Sequence, residues 1–421
     1  MDRFKSWLKK FKRSLGPGFI TGASDDDPSG IATYAQTGAR FGYGQLWMTF
    51  FSIPFMVAVQ EMCGRIGLVT GKGLAGVIRK YYSKKILYIF IMVLLVANTI
   101  NIGADLGAMA AAAQLVTGLP FVMLLILMMA LTLSLEIFIP YPTYAKYLKY
   151  LTLSLFAYII AGLIIKQNWW EIISATFIPQ FSLTREYVIN IVAFLGTTIS
   201  PYLFFWQADE EVEEEIATHK LERMGYGKPH INMRTIKNMQ VDTFTGMVFS
   251  NVVSFFIIIT TAATLGRTGI TTIETADQAA LALRPIAGDF AFILFALGIV
   301  GTGLLAVPVL AGSVAYAFAE AFHWRAGLYR KLQQAHGFYG VITIATLIGL
   351  LINFTPIKPF QLLYYAAIVN GLAAPPLIIG ILLIANNKRS MGNKVNNITS
   401  NVFGIVIAVL MALASLFFIF P

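Results

Sequence analysis

The sequence of 421 residues is poor in cysteine, histidine and charged residues. Its single cysteine, Cys63, excludes an internal disulfide, and its apolar neighbours indicate a packed position in the interior. Charged residues make up 12% of the chain and hydrophobic residues 57%, whereas soluble proteins carry about 25% charged residues. This composition argues against a soluble enzyme or a nucleic-acid-binding protein and predicts an all-α integral membrane protein.

Long apolar runs alternate with short polar segments along the whole chain. Since a membrane-spanning helix needs roughly 17–25 mainly apolar residues, we predict about eleven spans in a single transmembrane domain, 1–421. Their ranges are 16–43 (interrupted), 46–70, 86–116, 120–139, 147–166, 188–208 (interrupted), 241–265, 288–318, 338–354, 360–385 and 401–420.

The distribution of Lys and Arg predicts the orientation of these spans. Alternate connecting segments, including the basic first residues, hold 24 of the 31 Lys and Arg residues, and the opposite set holds six. Because short cytoplasmic loops are enriched in these residues, we expect the N-terminus in the cytosol and the C-terminus outside. The first residues resemble no secretory signal peptide, and we expect the protein in the plasma (inner) membrane of a prokaryote.

Polar residues interrupt the first span, 16–43, where Asp25, Asp26 and Asp27 precede Pro28. A charged side chain at that depth costs about 2.5–3.5 kcal/mol on insertion scales. Irregular backbone is tolerated there only where protein or a water-filled cavity satisfies it, so the stretch predicts a binding site. The structural alternative is that Asp27 caps a helix that begins with proline, and both roles are compatible.

The sixth span carries a similar interruption around Thr197, Ser200 and Pro201. Proline lacks a backbone N–H and disfavours the preceding turn, which frees carbonyls near Thr197; an ordinary proline kink is the alternative. The two breaks lie at matching positions of two five-span halves, about 16–166 and 188–385, which have opposite orientations because five is odd. Such matched breaks indicate a transporter site at the midplane, and 401–420 is an additional helix.

Other polar residues lie inside spans or close to them. Asn98, Asn101 and Asp105 are spaced by three and four residues, which predicts one polar helix face directed into the bundle; an interhelical hydrogen-bond ladder is the alternative. Asn251 and Asn370 are polar positions in later spans.

The segment 209–240 begins with six acidic residues in seven. We predict a solvated cytosolic loop there, with a metal-sensing or ion-exit site as the alternative. The four histidines all fall in predicted cytosolic loops, so the spans contain no histidine relay for protons.

With these features in place, the chain resembles the Nramp divalent-metal transporter superfamily over most of its length. The resemblance rests on residues 16–19 followed by 27–33, on 60–71 and on 301–313. It implies the LeuT-type fold, two inverted repeats of five helices, with the transported ion bound between broken helices 1 and 6.

The chain departs from the family pattern at the ion site. It has Asp27-Pro28-Ser29-Gly30 in place of Asp-Pro-Gly-Asn, so the aspartate ligand is kept and the asparagine ligand becomes Gly30. It has Ser200-Pro201-Tyr202 in place of Met-Pro-His, so the thioether and the imidazole are both lost. Thr197 takes the position whose backbone carbonyl ligates the ion in the family.

The missing groups predict which ions are carried. Thioethers favour soft transition metals, whereas carboxylate, carbonyl, hydroxyl and water favour Mg²⁺ and Mn²⁺. Mg²⁺ usually retains several waters, for which Gly30 would leave space, and the pattern is similar to the Nramp-related magnesium transporters. The resemblance implies metal ligands Asp27, Thr197, Ser200 and the Gly30 position, with outer-shell or pathway roles for Asp25, Asp26, Asp105, Tyr202, Asn251 and Asn370.

The sequence therefore predicts an importer of Mg²⁺ and Mn²⁺ that works by alternating access without proton coupling. Asp105 matches the first of two acids on the family's proton route, but the second position is Ala108. The main alternative is a proton-coupled Mn²⁺/Fe²⁺ symporter with Asp105 as proton acceptor, followed by an amino-acid-type transporter on the same fold. The sequence contains no nucleophile–base set of the kind that a membrane enzyme needs and no extracellular ligand domain of the kind that a receptor needs. We expect no cofactor, no nucleic acid and no obligate protein partner, only the metal substrate and the bilayer.

Overall fold

The structure is a computed structural model that describes residues 16–139, 143, 156–227, 229 and 231–420. Over these residues the fold is helical and contains no β-strand. The α-helices are α1 Pro17–Asp25, α2 Pro28–Phe41, α3 Trp47–Phe51, α4 Ile53–Thr70, α5 Leu74–Tyr81, α6 Lys84–Thr117, α7 Phe121–Phe138, α8 Phe156–Ile164, α9 Trp169–Phe177, α10 Arg185–Thr198, α11 Pro201–Ala217, α12 Met233–Thr264, α13 Ala276–Ala280, α14 Arg284–Ala287, α15 Ala291–Phe322, α16 His336–Ile352, α17 Pro359–Ala385, α18 Lys388–Met391 and α19 Ile398–Ile419. Short 3₁₀ helices lie at Gly266–Thr268, Leu281–Leu283, Gly288–Phe290 and Leu332–Gln334.

The predicted apolar spans coincide with helices wherever the structure describes them. Within the described residues, eight helical segments are long and apolar enough to cross a membrane, and α16 is a shorter apolar helix. The first predicted span is divided into α1 and α2, both too short to cross alone. The basic N-terminal arm and the first part of the predicted fifth span lie outside the described residues, so the count of eleven stays a prediction.

Both predicted interruptions are confirmed as helix breaks. α1 ends at Asp25, and α2 begins at Pro28 with Asp27 as its N-cap. α10 ends at Thr198, and α11 begins with proline after the N-cap Ser200. In each break proline occupies the first helical position, where its missing N–H leaves no intrahelical hydrogen bond unmade.

The helices around the breaks pack reciprocally. The first broken helix, α1 with α2, packs along α12, and α11 of the second broken helix packs along α4. The long helices α6 and α15 pack against each other in the same bundle. This exchange of partners between the two halves is expected of inverted repeats, whose boundaries at 16–166 and 188–385 stay predictions.

Small residues and a carboxylate hold α1 against α12. A methyl group at Gly22 would lie 2.3 Å from the carbonyl carbon of Gly246, so the two backbones are in direct contact. At the start of α1, Asp242 accepts hydrogen bonds of 2.8 Å from the backbone N–H groups of Gly16 and Gly18. These N–H groups precede or begin the helix and have no intrahelical acceptor.

The prediction of a solvated acidic loop from residue 209 is wrong for the start of that segment. α11 continues to Ala217, and Asp209, Glu210, Glu211 and Glu215 are all buried on it. Charge density predicted solvation, but tertiary contacts override it. Half-buried Glu213 on the same helix accepts hydrogen bonds from the Tyr316 hydroxyl at 2.5 Å and the Leu328 N–H at 3.0 Å, whereas neither carboxylate oxygen of buried Asp209 has a hydrogen-bond partner among the described residues.

We expect Gly22→Leu to destabilise the protein strongly, because any side chain at this position must push α1 away from α12. Overpacking a tight contact typically costs about 1–3 kcal/mol or more. Thermal unfolding of the purified protein, followed by size-exclusion chromatography, measures the effect. The matched control is Gly340→Leu in α16, where a side chain would meet no atom within 4 Å. Equal unfolding temperatures for the two variants would contradict the close contact.

Candidate functional site

The two helix breaks meet at Gly30. A methyl group on this residue would lie 3.0 Å from the Asp25 carbonyl oxygen, 3.2 Å from the Thr197 hydroxyl and 3.4 Å from Oδ1 of Asp27. The sequence predicted room for water here, but protein oxygens surround the position in this conformation, because the absence of a side chain lets the two breaks approach directly. The three nearest neighbours are oxygen atoms from both broken helices, which is the donor type that hard cations prefer.

The Asp27 carboxylate is buried at the centre of this arrangement. Its Oδ1 accepts hydrogen bonds from the Gly30 N–H at 2.6 Å and the Ser29 hydroxyl at 2.7 Å. Its Oδ2 accepts one from the Asn101 side chain at 2.9 Å. A carboxylate offers about four lone-pair positions, so Asp27 is at once the helix cap that the sequence predicted and a group with capacity for a further ligand.

A polar network connects Asp27 to the third and tenth predicted spans. Asn101 on α6 donates to Asp27 and also to Asp105 at 3.3 Å. The side-chain oxygen of Asn101 accepts a hydrogen bond of 3.2 Å from the side-chain amide of Asn370 on α17. The predicted polar face of α6 is therefore confirmed, since Asn98, Asn101 and Asp105 are all fully buried. Asp105 and Asn370 lie in one network with Asp27.

Asp25 and Asp26 are also fully buried and share a hydroxyl donor. The Ser250 hydroxyl lies 2.6 Å from Oδ2 of Asp25 and 3.2 Å from Oδ1 of Asp26. Sequence reasoning chose its neighbour Asn251 instead. Asn251 bonds to Ser52, Met56 and Met247, and no hydrogen bond within the described residues joins it to the acids. Successive side chains on a helix point about 100° apart. No signal in the sequence showed whether Ser250 or Asn251 faces the acids.

The second break is tied to the first by a tyrosine. The Tyr202 hydroxyl donates to the Ser24 carbonyl at 2.9 Å, which satisfies an oxygen of the last turn of α1. The Ser200 hydroxyl lies against the end of α10, 2.6 Å from the Gly196 carbonyl oxygen and 2.7 Å from the Thr197 carbonyl oxygen. Ser200 thus lies in the second break, and Tyr202 lies in the first turn of α11. The ligand roles of Asp27, Thr197, Ser200 and the Gly30 position stay predictions.

The four acidic residues at this site have no basic partner among the described residues. Asp25, Asp26, Asp27 and Asp105 are at most 1% exposed, and no ion pair within the described residues includes any of them. One oxygen of each of Asp25, Asp26 and Asp105 has no hydrogen-bond partner among the described residues. Buried carboxylates without partners require protons or a bound cation.

The oxygen atoms that converge at Gly30 come from different chemical groups. Among the described residues, no group of three or more His, Cys, Asp or Glu side chains is arranged to hold a metal ion. The oxygens near Asp27 come instead from one carboxylate, a hydroxyl and a backbone carbonyl. Such a mixed set suits an ion that binds and leaves, because few of its donors carry full charge.

Comparisons with known proteins agree with this geometry. A family model for natural resistance-associated macrophage protein-like (Nramp) proteins matches residues 18–421. The chain is 24% identical over 403 residues to the divalent metal cation transporter MntH of Deinococcus radiodurans, covering 94% of this chain and 87% of that protein. It is 25% identical over 441 residues to MntH of Clostridium acetobutylicum, covering 98% and 92%.

Solved structures show the same fold. The crystal structure of the Eremococcus coleocola manganese transporter, in complex with an aromatic bis-isothiourea substituted compound, superposes with a TM-score of 0.79 at 17% identity, covering 98% of this chain and 87% of that chain. Mhp1, a nucleobase-cation-symport-1 family transporter, superposes in its closed conformation with a TM-score of 0.60 at 12% identity, covering 96% and 88%. The predicted LeuT-type fold is confirmed. The family match and the apolar helices together show that the chain is an integral membrane protein that belongs to the Nramp family.

Proposed function

We propose that this protein is a divalent metal cation transporter that imports Mg²⁺ and Mn²⁺ by alternating access. The observation that carries the proposal is the buried Asp27 carboxylate beside Gly30, the residue at which oxygen atoms of both helix breaks converge. The proteins that this chain is similar to, which are named divalent metal cation transporters and a manganese transporter, support a divalent metal ion as the substrate.

A divalent substrate is supported by the local charge. Four carboxyl groups lie buried around the breaks without a basic partner among the described residues. A dication neutralises two such charges at once, and Asp25 and Asp26 add negative potential for an ion that keeps part of its water. We infer that Asp27 ligates the ion directly, together with oxygens of Thr197 and Ser200.

The preference for hard ions is supported by the groups at the motif positions. Ser200 and Tyr202 stand where family members carry a thioether and an imidazole, and Gly30 replaces an amide. Oxygen donors discriminate little against Mg²⁺, whereas a sulfur ligand selects softer metals. The ion is cargo here, and the proposed cycle uses no cofactor and no enzymatic step.

Transport without proton coupling is supported by the lack of a second proton acceptor beside Asp105. The position one turn later is Ala108, which is buried, and no histidine lies in the predicted spans. A dication that moves inward through 100 mV gains about 4.6 kcal/mol from the potential alone. With the N-terminus in the cytosol of a prokaryotic plasma membrane, this potential alone drives accumulation.

The alternative is a proton-coupled Mn²⁺/Fe²⁺ symporter. One observation favours it: Asp105 is fully buried, and its Oδ1 has no hydrogen-bond partner among the described residues. Such a carboxyl is suited to carry a proton that is exchanged during the cycle. Asn101 lies between Asp105 and Asp27 and would transmit the change.

Asp27→Ala is expected to abolish Mg²⁺ and Mn²⁺ uptake, because it removes the one carboxylate that both breaks share. Uptake into proteoliposomes measures this, with size-exclusion chromatography as the check on folding. Asp277→Ala is the matched control, since Asp277 is exposed in α13. Flux that persists in a well-folded Asp27→Ala protein would refute the ligand assignment.

Proton coupling is tested by following ion entry and lumenal pH in the same proteoliposomes. We expect Mg²⁺ to enter and to depolarise the membrane while the lumen stays at constant pH, because no proton accompanies the ion. Empty liposomes with an ionophore for divalent cations provide the control. Lumenal acidification that rises in proportion to metal entry would establish the symporter instead.

Ser200→Met is expected to raise the preference for Mn²⁺ or Cd²⁺ over Mg²⁺, because it introduces a thioether at the second break. Competition between these ions for uptake measures the ratio. Ser200→Ala is the control, since it removes the hydroxyl without adding sulfur. If the methionine and alanine variants show the same ratio, residue 200 does not face the ion.

A further inference from the structure

A large basic cavity lies away from the helix breaks, among three connecting segments. It has a volume of about 1030 Å³ and is bordered by the end of α5, residues 223–226 and residues 323–330. All three segments belong to loops that the Lys and Arg distribution predicts to be cytosolic. The basic residues that line the cavity are Lys72, Arg79, Lys80, Lys84, Arg223, Arg325 and Arg330.

The basic residues of the cavity outnumber the carboxylates near them among the described residues: Glu320 interacts with Lys72, and Glu213 with Arg330. None of the cavity's seven cations forms an ion pair within the described residues. Its one carboxylate, Glu320, is already engaged, because its two oxygens accept hydrogen bonds of 2.7 Å from the backbone N–H groups of Gly73 and Gly76. A multiply charged anion would therefore find uncompensated cations on several sides.

Positive charges also act on two groups beside the cavity. Desolvation, with the charges of Arg79 and Lys72, lowers the pKa of His323. Lys84 lies in the first turn of α6, which contains no acidic residue, although the N-terminus of a helix favours negative charge. An anion in the cavity would relieve both unfavourable interactions.

Aromatic rings accompany the charges. Tyr226, Trp324 and Tyr329 line the cavity and are exposed, and the Arg223 guanidinium lies 3.4 Å from the centre of the Tyr226 ring. Aromatic and guanidinium planes are the groups on which nucleic bases stack. The cavity volume lies at the upper end of the range for small-molecule sites, about 300–1,000 Å³.

Membrane orientation does not require this arrangement. Lys and Arg set topology from anywhere in short cytoplasmic loops, and Lys85, Lys388 and Arg389 do so outside the cavity. The need to orient the protein in the membrane does not explain why seven basic residues from three segments line one cavity. It also does not explain the exposed aromatic rings there.

We propose that the basic cavity binds a soluble nucleoside polyphosphate from the cytosol. The polyphosphate contacts the cations from α5, from the start of α6 and from residues 325–330, and the base stacks on the face of Tyr226 opposite Arg223. The site is separate from the proposed ion site, so either proposal can fail without the other.

The test uses full-length protein in detergent, with ATP or inorganic triphosphate as the probe and a chelator present so that no divalent ion is bound. We expect ATP to bind, with an affinity that falls as salt is added. Lys84→Gln combined with Arg325→Gln should weaken binding about tenfold or more. Neither side chain makes a hydrogen bond within the described residues, so folding is preserved.

The matched control is Lys85→Gln combined with Arg389→Gln, which removes the same charge outside the cavity and should leave binding unchanged. Tyr226→Leu should weaken ATP binding but not triphosphate binding, because it removes only the stacking ring. Equal losses in the cavity pair and the control pair would overturn the proposal. So would binding of anionic lipid in nanodiscs, sensitive to the cavity pair, in a protein that binds no ATP.

Discussion

The uncompensated charge of Asp25, Asp26, Asp27 and Asp105 is the constraint on which the rest of the bundle depends. No basic side chain of the described residues pairs with these acids, so the fold must surround them with hydrogen-bond donors. Ser250 of α12, Asn101 of α6 and the N–H groups at the start of α2 supply the donors. The breaks in the first and sixth predicted spans exist because a continuous helix would leave no free backbone groups for this purpose.

The long helices act as supports for a short irregular stretch. Five helices contribute three sets of hydrogen bonds around the breaks. Asp27 at the start of α2 is joined to Asn101 and Asp105 of α6 and, through Asn101, to Asn370 of α17; Ser250 of α12 bonds to Asp25 and Asp26, and Tyr202 of α11 bonds to Ser24. The bond from the Tyr202 hydroxyl to the Ser24 carbonyl makes the two breaks one structural unit. A displacement of α1 must therefore break this hydrogen bond or move α11, and the reverse holds for a displacement of α11.

Much of this could be predicted from the sequence where the chemistry is local. Pro28 and Pro201 fix helix starts, and the spacing of Asn98, Asn101 and Asp105 fixes a helix face, so both predictions were confirmed. The role of Ser250 was missed because it depends on the rotation of α12 against α1, which is set by the contact of Gly22 with Gly246. The acids from Asp209 were predicted to be solvated because charge indicates exposure on average, and only tertiary contacts reveal that the protein buries them.

The anchoring of α1 to α12 has a consequence for the energetics of motion. The first turns of α1 are held by backbone contact at glycine, by the Asp242 cap and by the contact of the Phe19 ring with Phe249. Glycine surfaces separate without rotamer rearrangement, and water replaces the hydrogen bonds that the cap loses, at a net cost of about 1.5–3 kcal/mol for each bond to a charged group. A displacement of α1 from α12 would therefore expose the Gly22 and Gly246 backbones and the Asp242 carboxylate, while Asp27 would keep its hydrogen bonds to Ser29 and Gly30 at the start of α2.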